Sequence, residues 1–138
     1  MDRAKLVERI TIIGAILLFA YIGYVSYFVL ADIENPDQPV DLVVRVNARQ
    51  FAWEFSYPDG TVSPELRVKA GQTVKLELHT QDVIHSLYLR DFQIKKDVVP
   101  GKTNYLILTL LEPGRYVIQC AEFCGRGHYS MITYLVVE

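Results

Sequence analysis

Thr73–Thr80 (TVKLELHT) places Val74, Leu76 and Leu78 on one side of the chain and Lys75, Glu77 and His79 on the other. A period of two is the signature of a half-buried β-strand. Upstream, Asn47–Tyr57 repeats the pattern with Phe51, Trp53, Phe55 and Tyr57, and closes on the turn Pro58-Asp59-Gly60. Downstream, Pro100-Gly101 and Pro113-Gly114 punctuate Asn104–Leu111 and Arg115–Cys120, and Met131–Val137 is the last apolar run. Short strands at 8–12-residue spacing, with no amphipathic helix among them, indicate an all-β sandwich or barrel over residues 42–138. His79 is expected to be solvated on its strand's polar face, and Lys95-Lys96 to lie in a surface loop.

The N-terminal part has a different character. Ile10–Ala31 (ITIIGAILLFAYIGYVSYFVLA) is 22 residues long and holds no charge. A helix of that length reaches roughly 33 Å, against a hydrocarbon core of about 30 Å. A signal peptide would have a shorter apolar run and a small-residue cleavage site. Here the run ends in Phe28, Val29 and Leu30. Residues 10–31 are therefore expected to form a single transmembrane α-helix, with lipid as a partner. Arg3, Lys5 and Arg9 precede it and Asp32, Glu34 and Asp37 follow it. The positive-inside rule makes residues 1–9 cytoplasmic and the rest periplasmic or otherwise outside the cell membrane. Residues 32–41 (DIENPDQPVD) read as a linker. The outer part carries 11 basic and 14 acidic residues, a net charge of −3, and no basic footprint for nucleic acid.

The chemistry concentrates in Cys120-Ala-Glu-Phe-Cys124-Gly-Arg-Gly-His128-Tyr-Ser-Met131. Twelve residues hold both cysteines, one of three histidines and the only methionine besides the initiator. His85 lies upstream in Asp82-Val-Ile-His-Ser. Thiolate, thioether and imidazole select copper over hard cations. Three other readings compete. Cys120 and Cys124 could form a disulfide in an oxidising compartment. Two Cys and two His could hold zinc, which leaves Met131 without a role. A mononuclear blue-copper site needs two His, one Cys and an axial Met, one thiol fewer than are present.

These residues resemble subunit II of cytochrome c oxidase, the CuA-bearing member of the haem–copper oxidases. The likeness runs from the apolar helix through the aromatic strand, Asp82-Val-Ile-His-Ser, Lys96-Asp97 with Pro100-Gly101, and the loop Cys-x-Glu-x-Cys-Gly-x-x-His-x-x-Met. It implies a cupredoxin-like Greek-key sandwich and a dinuclear copper centre. Cys120 and Cys124 would bridge the two coppers, and His85 and His128 would each cap one. Met131 and the Glu122 carbonyl would be weak ligands. The resemblance also implies a magnesium or manganese ion touched by the Glu122 side chain at the interface with subunit I. Cytochrome c would be the donor, and haem in subunit I the acceptor, for oxygen reduction. The single helix resembles the compact B-type branch. Where the family presents a tryptophan to the donor this chain has Phe51, with Trp53 two residues on, so either could be the entry point. A thioredoxin-like thiol reductase would need alternating helices and strands. A quinol oxidase subunit would lack the ligands, and nitrous oxide reductase would carry a second large domain.

Overall fold

The computed structural model describes residues 2–34 and 39–138, so Asn35–Gln38 of the expected linker lie outside the described residues. The chain divides into two units, at 1–37 and 38–138.

The first unit is one helix, α1 (Arg3–Glu34). The Asp2 carboxylate accepts from the backbone N–H of Ala4 at 3.3 Å and so caps the start. The helix outruns the apolar segment at both ends. It absorbs Arg3–Arg9, which are mostly good helix formers, and Asp32–Glu34 of the expected linker. It buries no residue against the protein, and its apolar length suffices to cross a membrane.

The second unit is a sandwich of two five-stranded sheets. Its strands are β1 (Leu42–Arg49), β2 (Ala52–Ser56), β3 (Val62–Ser63), β4 (Leu66–Val68), β5 (Thr73–Thr80), β6 (His85–Leu89), β7 (Ile94–Val98), β8 (Asn104–Thr109), β9 (Gly114–Cys120) and β10 (Ile132–Val137). One sheet has the order β3-β2-β1-β5-β8 and the other β4-β10-β9-β6-β7. The chain changes sheet after β3, β4, β5, β7 and β8, so each sheet holds strands distant in sequence. The pairings β1–β5 and β4–β10 are parallel and all others antiparallel.

The alternation in Thr73–Thr80 survives intact. Val74, Leu76 and Leu78 are fully buried and meet Val44, Val46, Leu87, Leu89, Ile118 and Leu135 in the core. Asn47–Tyr57 is not one strand, however. The chain reverses at Gln50-Phe51, and Arg49 pairs with Ala52 across the turn. Both arms keep a period of two, and a two-residue turn without Gly or Pro gives no local signal of reversal. Trp53 and Phe55 therefore enter the core, while Phe51 stays at the tip and 37% exposed. Lys95-Lys96 is not a loop either, but the middle of β7. His79 is half-buried rather than solvated. Its Nε2 is enclosed with no hydrogen-bond partner, and its Nδ1 lies 3.4 Å from the Thr103 hydroxyl.

Eight strand ends meet at one pole of the sandwich: the last residues of β1, β5, β7 and β9 and the first of β2, β6, β8 and β10. Cys120 ends β9 and His85 starts β6, two strands that are hydrogen-bonded neighbours. Topology thus brings together residues 35 positions apart.

Candidate metal centre

Cys120, Cys124 and Met131 are 5%, 3% and 0% exposed, and His85 is fully buried. The two Sγ atoms lie 3.8 Å apart. That is nearly twice the S–S length of a disulfide, and both thiols are free. Each sulfur has its own imidazole. His85 Nδ1 lies 3.9 Å from Cys120 Sγ, and His128 Nδ1 lies 3.6 Å from Cys124 Sγ. Each also has one weak donor. The Glu122 carbonyl oxygen is 3.3 Å from Cys120 Sγ, and Met131 Sδ is 3.8 Å from Cys124 Sγ. His85, Cys120 and Cys124 alone offer three donor atoms within 4.8 Å of one another. All six sequence-predicted positions thus converge, and they divide into two equivalent halves about the sulfur pair. A single tetrahedral ion would use four donors of this set and leave the others idle.

Burial, followed by the neighbouring Cys120 thiol, pushes the Cys124 thiol up to about 11. Metal binding must therefore displace a firmly held proton.

The loop is held from three sides. Backbone N–H groups of His128, Ser130 and Met131 donate to the carbonyls of Gly125, Gly127 and His128, forming a tight 3₁₀ turn at His128–Ser130. Cys120 N–H donates to the Met131 carbonyl and closes the loop's base. Gly125 has φ +132°, a conformation that L side chains rarely adopt. A Cβ at Gly127 would run into the Phe51 ring, so the tip of the β1–β2 turn seats directly on the ligand loop.

Three supporting residues gave no clear signal in the sequence. Asp82 Oδ1 is 2.8 Å from His85 Nε2, which leaves Nδ1 facing Cys120. Burial works to raise the Asp82 carboxyl, but hydrogen bonds from His85, Thr80 and the N–H groups of Val83 and Gln50 outweigh it and hold the group well below the usual carboxylate range. Gln50 binds twice, through its N–H to Asp82 at 2.7 Å and its side-chain Nε2 to the Cys124 carbonyl at 2.5 Å. Trp53 Nε1 donates to the Met131 carbonyl at 3.4 Å, and its ring meets His85 edge-on at 6.3 Å. Only the Asp-x-x-His spacing in Asp82–His85 could have been read in advance as an imidazole with an orienting carboxylate.

At the rim the Glu122 carboxylate receives Lys95 Nζ at 3.1 Å, and Lys95 also approaches Asp97 at 3.5 Å. Phe123 and Tyr129 stand 77% and 81% exposed.

A cupredoxin-class sandwich with a buried thiol–imidazole–thioether cluster at one pole, in a chain that also has one candidate membrane span, defines the class: a cupredoxin-like protein with a copper-type donor set. The sequence profile described as the periplasmic domain of cytochrome c oxidase subunit II matches residues 60–138. The chain belongs to that family. A cytochrome c oxidase subunit 2 from Thermostichus vulcanus is 44% identical over 100 residues, covering 71% of this chain and 30% of the relative. The chain therefore spans about a third of such relatives. Among solved structures, the periplasmic domain of subunit II of cytochrome oxidase from Bradyrhizobium japonicum superposes with TM-score 0.67 at 25% identity, covering 73% of this chain and 86% of that one. A chain from a heme-copper terminal oxidase dimer gives TM-score 0.61 at 23% identity over 99% of this chain and 100% of that one, and so shares the fold.

Proposed function

We propose that this chain is the electron-entry subunit of a respiratory terminal oxidase, taking electrons from a cytochrome c at a dinuclear copper centre and delivering them to haem in subunit I. The observation that carries this reading is the sulfur pair at 3.8 Å with one imidazole and one weak donor at each end. The donor set fits two soft metal ions. Cys120 and Cys124 would bridge them, His85 with the Glu122 carbonyl would hold one, and His128 with Met131 the other. When bound, the copper pair supplies a site that gains and loses one electron shared over both metals.

The chain's own residues do the rest. Asp82 fixes the face of His85 that meets the centre. Trp53 and Gln50 pin the carbonyls of Met131 and Cys124, so the loop has little freedom to relax when charge changes. Burial of both cysteines and Met131 excludes water. Phe51, exposed and stacked on the loop glycines, is the entry contact, and buried Trp53 is a brace.

The magnesium or manganese ion of the family would be held at this rim by Glu122, with Asp97 beside it, in place of the Lys95 ammonium group that both now approach. The N-terminus is cytoplasmic on this reading, residues 10–31 cross the inner membrane, and the sandwich stands in the periplasm.

Full-length chain in detergent, loaded with copper, is expected to bind two coppers and to show the hyperfine pattern of one electron shared by two copper nuclei. One copper per chain with an ordinary blue-copper spectrum would overturn the reading.

A further inference from the structure

Charge is distributed unevenly between the poles of the sandwich. Asp41, Asp59, Glu112 and Glu138 sit at strand ends or turns at the pole opposite the metal cluster, and Asp91 follows the far end of β6. At the cluster's pole the three carboxylates are engaged. Asp82 is held by four donors, and Asp97 and Glu122 share Lys95. The Phe51 tip, by contrast, is flanked by two exposed arginines. Arg49 immediately precedes the Gln50-Phe51 turn. Arg126 lies between Gly125 and Gly127, the two glycines on which the Phe51 ring rests. Neither guanidinium makes an ion pair among the described residues. Glu54, diagonal to Arg49 across the hairpin, bonds Asn47, and Asp82, which accepts from the Gln50 N–H beside Arg49, is already taken up by its four donors. Ile84, Phe123 and Tyr129 extend the exposed apolar surface on the same loops.

We infer that the electron donor of this chain docks with a carboxylate-rimmed apolar patch, placed over Phe51 and facing Arg49 and Arg126. This rests on the reading of the site as an electron-entry centre and names its partner's chemistry. A donor with a lysine-rimmed face would meet two uncompensated like charges at the point of closest approach. Like-charge contacts lower association rate and disfavour that partner. The net charge of −3 is a poor guide here, because Asp41, Asp59, Glu112 and Glu138 lie at the far pole and the Debye length at physiological salt is about 8 Å.

Two measurements on the full-length chain test this. In the first, the reduced copper centre is oxidised in stopped flow by hexacyanoferrate(III), an anion, and by tris(1,10-phenanthroline)cobalt(III), a cation, from about 0.01 M to about 1 M salt, over which the Debye length falls from about 30 Å to about 3 Å. The anion's rate is expected to fall with salt. Arg49→Glu and Arg126→Glu are each expected to lower it about threefold or more at low salt and to raise the cation's rate, with the copper spectrum unchanged. In the second, an acidic and a basic c-type cytochrome are titrated against wild type and both variants. This readout needs no copper, so it holds even if the centre fails to form and the electron-entry reading falls with it. The acidic cytochrome is expected to bind more tightly and to lose that advantage in either variant. Tighter binding of the basic cytochrome, or rates and affinities that ignore both charge reversals, would overturn the inference.

Discussion

In the proposed dinuclear centre Cys120 and Cys124 would contribute one bridge each, so neither could be lost without ending the sharing of charge. Cys120→Ser and Cys124→Ser are each expected to abolish the shared-valence spectrum. Met131 is different. It is fully buried, and Met→Leu nearly conserves volume, which holds the packing cost below about 1.5 kcal/mol. A weak thioether tunes potential more than it retains metal. Met131→Leu should keep two coppers with a shifted potential, read by metal analysis and redox titration, and loss of metal as complete as in the serine variants would refute this division of roles. Asp82→Asn leaves side-chain shape intact but weakens the acceptor for His85 Nε2. Removing such an orienting group costs about 10–100-fold in metal affinity, and competition with a copper chelator would show it. The candidate donors of the loop were legible because soft donors cluster in one short stretch of sequence. The roles of Gln50 and Trp53 were not, because they come from hydrogen bonds between segments that sequence spacing does not connect, whereas Asp82 shares the Asp-x-x-His spacing with His85.

Two of the three aromatics on the β1–β2 hairpin, Phe51 and Trp53, sit in opposite environments. Trp53 fills the core beside His85, and truncating a buried Trp to Ala costs about 3–5 kcal/mol. Trp53→Ala should therefore lower the thermal midpoint and loosen copper binding together. Phe51→Ala removes a half-exposed ring from the surface of the loop, so it should slow reduction by the donor while leaving the melting temperature within a few degrees. A Phe51 variant that melts as early as the Trp53 variant would make Phe51 core. The alternation that identified this segment as extended was sound, but period two reads the same through a tight turn, so the strand's length and the fate of each ring were hidden. β5 shows a second limit. Its buried face was plain, yet the enclosure of His79 on the other face depends on Arg45 of β1 and Thr103 before β8, which alternation cannot reveal. Burial, then the charge of Arg45, lowers the His79 pKa, with Glu77 opposing. The unfolded chain therefore binds this proton more readily than the folded one. Stability from this group is complete above about pH 6.5 and declines as pH falls towards the folded value. His79→Gln should flatten the fall in thermal midpoint across that window relative to wild type, and parallel curves would show that His79 does not contribute.

At the scale of the molecule, the sandwich separates its charge from its chemistry. Strand count and turn spacing were enough to anticipate a sandwich or barrel behind an apolar helix, but not which loops share a pole, since that follows from a chain that changes sheet five times. The consequence is functional. Asp59, Asp91 and Glu112 lie beyond strand ends remote from the ligand loop, and Glu65, level with the middle of β10, is already bonded to Arg67 and Arg115. Steering by surface charge raises association rates by about 10-fold to 10³-fold only where the field reaches the docking site, and it falls with ionic strength. At physiological salt a remote carboxylate lies more than one Debye length of about 8 Å from the metal pole and is screened there. Neutralising any one of these four acids to the amide should leave donor-dependent reduction of the copper centre within about twofold of wild type. Phe51→Ala should exceed all four in effect, because on the proposed reading it removes contact area at the point where the electron would cross. The comparison needs one stopped-flow series at fixed moderate salt. If a single remote neutralisation slowed reduction more than loss of the Phe51 ring, the donor would be approaching the opposite pole, and the short path from Phe51 through the loop glycines to Cys124 would not be the route the electron takes.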